Sequence, residues 1–183
     1  SVHREINDKV MELYLSQASS RSDYYLGKFA GCTAVALIVA LAFGVALLPF
    51  APIISVITWS LSLGCEVLIV AAVSLFCAIS ISQFTPAFAA TAGFYALARS
   101  ISAMQVIATA PVSVADTWTD TFLKWIVDAI ALFMPALDKM TQTVWLVDAP
   151  PELSQLTSIA AQAVLYLLLI GTASLVDLHR KSV

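Results

Sequence analysis

The sequence predicts an all-α polytopic membrane protein. Four transmembrane helices are preceded by a cytoplasmic helix and interrupted by extracytoplasmic amphipathic helices. Three observations predict this. The 183 residues are 60% hydrophobic and only 11% charged, with a mean hydropathy of +0.90; a soluble domain carries about 25% charged residues. A soluble fold of this size leaves too much surface in water to hide so much apolar area. The apolar runs reach the roughly 20 residues that span a bilayer, with no charge between Lys28 and Glu66. Proline-containing breaks at Pro49-Phe-Ala-Pro52, Gln83-Phe-Thr-Pro86, Pro111 and Pro150-Pro151 divide those runs into helix-sized pieces.

Taken in order, residues 1–22 form a polar segment outside the membrane. Ile6, Met11 and Leu15 line one helical face, and Arg4, Glu5, Asp8 and Glu12 occupy the others. Gln17-Ala-Ser-Ser20 breaks that helix. Ser22 suits an N-cap and Asp23 a first turn, so the first span begins near residue 23 and ends near 48. Tyr24 and Tyr25 are expected at the lipid–water interface. Gly27 and Gly31 form a G-x-x-x-G, a pattern that permits close helix packing. The second span covers about 53–82, with Glu66 as its only charge. Thr85 as N-cap and Pro86 at the first helical position open the third, which reaches about 110 and contains Arg99.

Residues 112–150 differ in kind from the spans at 23–111. Asp116, Asp120, Lys124 and Asp128 recur every four residues and share one helical stripe, flanked by Trp118, Phe122, Trp125 and Ile126. That pattern predicts an amphipathic helix at the membrane surface or half-buried among other helices, stopped by Pro135. A short second helix is expected over 141–147. Residues 151–183 hold the last span, about 152–176, and a polar tail. Four spans put both ends on one side. Arg4, Lys9, Arg21, Lys28, Arg180 and Lys181 flank that side, against Lys124 and Lys139 in the opposite loop, which places both ends in the cytoplasm.

Several chemistries find no support. No G-x-x-x-x-G-K-[ST], H-E-x-x-H or G-x-S-x-G occurs, and no nucleophile has a base beside it. His3 and His179 lie at opposite ends of the chain, and Met11, Met104, Met134 and Met140 are dispersed, so neither set suggests a metal site. Cys32, Cys65 and Cys77 all lie in apolar runs, are odd in number and form no C-x-x-C, which reads as packing. A net charge of −3 without a basic patch argues against nucleic acid. The chain is expected to catalyse nothing by itself and to carry no cofactor or metal. It begins with Ser1, without an initiator Met, as expected of a piece of a longer protein.

Glu66 and Arg99 are the two charges within the predicted spans. A lone charge at mid-bilayer costs roughly 2.5–3.5 kcal/mol. With the turn near Gln83 and Phe84, Glu66 lies about 17 residues before it and Arg99 about 16 after it, both ~25 Å away. Three readings are open: an intramembrane charge pair, a polar lining for a translocation path, or two side chains that snorkel separately to the interface.

The segments Arg4-Glu-Ile6, Met11-Glu-Leu-Tyr-Leu-Ser16, Ser20-Arg21 and Tyr24-Tyr-Leu-Gly-Lys28 resemble the cytoplasmic coupling segment of type-2 ABC transporter permeases. Phe94-Tyr-Ala-Leu-Ala-Arg99, Leu137-Asp-Lys-Met-Thr141, Val144-Trp-Leu146, Tyr166-Leu-Leu-Leu169 and Asp177-Leu-His-Arg-Lys181 follow in the order expected of the same family. The resemblance covers essentially the whole chain. It is greatest to the branch that includes permeases for copper-enzyme maturation and gliding motility. Lys9-Val10 and Ala18 stand where the family carries Gly-Thr and Pro, which implies a longer or straighter coupling helix.

The resemblance implies a transmembrane permease subunit in a bacterial inner membrane. Its coupling helix would dock on a cytoplasmic ABC ATPase through Arg4, Glu5, Met11, Glu12, Leu15 and Arg21. It further implies ATP and Mg on that partner, a second permease chain as a homo- or heterodimer, surrounding membrane lipids, and export or extrusion of a substrate. The alternative is a non-transporting structural or assembly subunit of a larger membrane complex. For residues 1–17 the plainer reading is an ordinary surface helix.

Overall fold

Proline and long apolar runs set the helix boundaries. The computed structural model describes residues 21–81, 83–109, 118–147 and 151–180. Its elements are α1 (Arg21–Leu47), α2 (Ile53–Ser80), α3 (Phe84–Thr109), α4 (Trp118–Phe133), a 3-10 turn (Leu137–Lys139), α5 (Val144–Val147) and α6 (Leu153–Arg180). No strand occurs among the described residues. The expected coupling helix, with Arg4, Glu5, Met11, Glu12 and Leu15, lies outside them, as do Asp116 and the rest of 110–117; Arg21 is the first residue of α1.

Three helices are long and apolar enough to cross a membrane, over Tyr25–Leu47, Ile53–Ser80 and Leu153–Leu178. The third expected span, α3, is not among them. It has 26 residues, which is length enough, but alanine, serine, threonine and glycine dilute its apolar character and Arg99 lowers it further. Its start also differs from expectation. The helix opens at Phe84, so Pro86 falls inside the first turn rather than at its first position. Proline is tolerated there because first-turn N–H groups have no intrahelical acceptor. The Ala87 N–H donates to the Gln83 carbonyl at 3.4 Å.

Helix α2 is the centre of the bundle and packs against α1, α3, α5 and α6. Its residues Ile69 and Ala72 are wholly buried. The outward faces of the long helices are apolar, with Ile38 and Leu41 of α1 and Leu168 of α6 all more than half exposed. A lipid environment satisfies such faces without further protein cover.

Close approach of α1 and α2 depends on small residues other than Gly27 and Gly31. A Cβ at Gly27 or Gly31 would meet open space. The contact lies further along, where Ala36 and Ala40 are buried and a Cβ on Gly44 would stand 2.6 Å from the Ser60 hydroxyl. Between apolar helices in lipid, association relies on such close van der Waals approach.

The other end of the bundle is tied by a second cluster. Tyr25, Ile79 and Leu178 are buried together, with Phe29 and Leu175 packed against them. Tyr25 is therefore a packing residue joining α1, α2 and α6. It stacks on Phe29 at 6.2 Å between centroids. Beside this cluster the Ser80 hydroxyl donates to Asp177 Oδ2 at 2.8 Å, and α6 continues through Asp177 to Arg180, beyond its expected end.

Candidate functional site: a polar cluster midway along the bundle

Ser62 and Glu66 sit four residues apart on α2 and so share one helical face. Glu66 is 13 residues from Ile53 and 14 from Ser80, or about 20 Å from either end at ~1.5 Å per residue. It is 4% exposed, in the middle of the most buried helix. Arg99 comes to it from α3, and its Nη1 donates to Glu66 Oε1 at 2.6 Å. The same Nη1 donates to Thr141 Oγ1 at 2.7 Å, and the Thr141 hydroxyl donates to Glu66 Oε2. The three side chains thus close a triangle in which threonine accepts from the cation and donates to the anion. One turn away, the Ser62 hydroxyl donates to the Met140 carbonyl.

The geometry follows from local rules up to the last step. Helical rise from the α2–α3 turn carries Glu66 and Arg99 to the same depth, and antiparallel neighbours at equal depth can meet. The Glu66 side chain is 5% exposed and that of Arg99 41% exposed. The carboxylate depends on protein for its partners, while the guanidinium keeps one side open. In a low-dielectric setting an unpaired carboxylate would be costly, and pairing with added hydrogen bonds offsets that cost.

Thr141 was not legible as a partner in the sequence. It arrives on the 3-10 turn and its flanks, residues 134–143, which are mostly not α-helical. Leu137 and Met140 are wholly buried and Trp145 is 5% exposed, all in the cluster that holds Ile69 and Ala72 of α2. The segment therefore lies beside the middle of α2. Non-helical backbone is stable at membrane depth only when protein or trapped water satisfies it. Here the Met140 carbonyl accepts from Ser62, and the Lys139 and Met140 N–H groups donate to the Ala136 and Leu137 carbonyls at 3.1 Å each. Helix α4 packs on α3 and leads into this segment, with Trp125 and Asp128 both exposed.

Chemically, the triangle is a closed set of partners, suited to holding elements together rather than to moving protons from a substrate. No group of three or more metal-ligating side chains occurs among the described residues. An apolar groove of about 470 Å³ runs between α1 and α2, lined by Leu41, Gly44, Leu48, Ile57 and Leu61 among others. A second, of about 360 Å³, lies between α2 and α3, lined from Val67 to Ala78 on α2 and from Phe84 to Thr91 on α3. Neither is lined by Glu66 or Arg99.

No family model, no curated protein and no solved structure matches this chain.

Proposed function

We propose that this chain is the transmembrane permease subunit of an ABC transporter, which couples ATP hydrolysis by a partner ATPase to export of a substrate. The observation that carries the reading is the ordered resemblance described above, from Arg4-Glu-Ile6 through Tyr24-Tyr-Leu-Gly-Lys28 to Asp177-Leu-His-Arg-Lys181. In this reading α3 also spans the membrane, making four spans, both ends are cytoplasmic, the 112–150 loop is extracytoplasmic, and the membrane is the bacterial inner membrane. A second permease chain completes the pathway, and ATP and Mg reside on the ATPase.

The fold is compatible with such coupling for a mechanical reason. Helix α1 is unbroken from Arg21 to Leu47, so a displacement at its start is carried about 40 Å along its axis. The buried Tyr25–Ile79–Leu178 cluster makes the start of α1 move with α2 and α6. A flexible linker at that place would dissipate the push.

The test is Met11→Asp, which places a charge on the apolar face of the docking segment. The variant is expected to lose vanadate-sensitive ATP turnover and to bind the ATPase at least about tenfold more weakly, a change of about 1.4 kcal/mol, with thermal stability of the membrane part unchanged. Unchanged affinity for the ATPase would overturn the docking assignment.

A further inference from the structure

We propose that residues 134–147 form an inserted gate, latched at mid-bundle by Glu66, Arg99 and Thr141, whose release opens a polar strip along α2. The inference concerns the chain itself and does not depend on what drives transport.

The first support is the kind of bond that holds the segment. Its bonds to the long helices include the Thr141 hydroxyl to Glu66 and Arg99, and the Met140 carbonyl to Ser62. These are few, directional and concentrated within one helical turn of α2. The apolar anchors Leu137, Met140 and Trp145 add burial but no geometric lock of that sort. A segment held this way has two arrangements available, docked or withdrawn, and the polar latch sets the balance between them.

The second support is the polar character of the α2 face that Met140 and Thr141 meet. Trp59, Ser62 and Glu66 recur at i, i+3 and i+7 along α2, the spacing of one helical face. Ser102 lies one turn beyond Arg99 on α3. Besides Ser60 Oγ, which faces Gly44 of α1, the Trp59 Nε1, Ser102 Oγ and Asp138 Oδ1 atoms are buried with no hydrogen-bond partner among the described residues. Buried polar atoms without partners are uncommon and call for a reason. An intermittently hydrated passage supplies one, since water enters when the segment withdraws and satisfies these atoms. The solute class suited to such a strip is polar and hydrogen-bonding, because the strip offers an indole N–H, hydroxyls and a charge pair.

The experiment reads thiol accessibility in native membranes, after Cys32, Cys65 and Cys77 are replaced by serine or alanine. Leu137→Cys reports the segment and Ile79→Cys, in the separate cluster with Tyr25 and Leu178, reports the far end of α2; both native residues are buried. Each reporter is combined with Thr141→Val, which removes the latch hydroxyl but leaves the Glu66–Arg99 pair, and separately with Glu66→Gln. The expected result is labelling of Leu137→Cys by a small polar thiol reagent about tenfold faster in both latch variants, as loss of a buried hydrogen bond implies. The Ile79→Cys reporter stays unreactive. No acceleration at position 137 would overturn the gate. Equal acceleration at both positions would also overturn it, because the cluster would then be holding the whole bundle rather than the segment.

Discussion

Replacing the two charges midway along the bundle, singly and together, separates an ion pair from two independent polar groups. Arg99→Gln leaves the Glu66 carboxylate, 5% exposed, with the Thr141 hydroxyl as its remaining partner in the triangle. Removing one partner of a buried pair costs about 3–5 kcal/mol, and the 41% exposure of Arg99 places this case near the lower figure. Glu66→Gln is milder. The glutamine carbonyl still accepts from Arg99, and the guanidinium keeps its open side toward polar surroundings, so about 1–2 kcal/mol is expected. The double variant carries no buried charge and should cost about 2 kcal/mol, well below the sum of the singles. The difference, about 2–3 kcal/mol, lies within the range measured for residues in contact. For a chain of this size each 1 kcal/mol moves the midpoint by roughly 2–4 °C, so Arg99→Gln should lower Tm by roughly 6–12 °C. Thermal unfolding in detergent, followed by tryptophan fluorescence, measures all three variants. A Glu66→Gln loss equal to or larger than that of Arg99→Gln, or additive single losses, would refute the reasoning.

Two further outcomes follow from the packing and from the proposed topology. Gly44→Ala should leave Tm within a few degrees of wild type, because the Ser60 hydroxyl that would stand 2.6 Å from its Cβ is a rotatable tip and alanine gains about 0.5–1 kcal/mol of helix propensity, whereas Gly44→Leu overpacks the α1–α2 contact and should cost about 1–3 kcal/mol; an unchanged Tm in Gly44→Leu would show that another contact sets the α1–α2 distance. In a cysteine-free background, Asp120→Cys should react with a membrane-impermeant thiol reagent added from outside intact cells, whereas labelling only after the cytoplasm is opened would reverse the proposed orientation.

The helical class, the breaks between helices and the equal depth of Glu66 and Arg99 were determined by the sequence alone. Each rests on local quantities: apolar run length, proline positions, and a fixed rise per residue counted from the α2–α3 turn. Other features were decided only by the tertiary structure. Gly27 and Gly31 have the spacing for close packing, yet the tight contact is at Gly44, because which stripe of α1 faces α2 depends on how the whole bundle is arranged. Tyr25 has the composition of an interfacial ring, yet it is buried where α6 covers it. Thr141 shows no signal in periodicity, and its place beside Glu66 depends on how far the segment after Pro135 penetrates. That depth is set by burial of Leu137, Met140 and Trp145 against α2 and α3, together with the need of a buried charge pair for a third hydrogen-bonding group. Both are interactions between residues at least 40 positions apart or on separate helices, and a one-dimensional pattern carries no record of them.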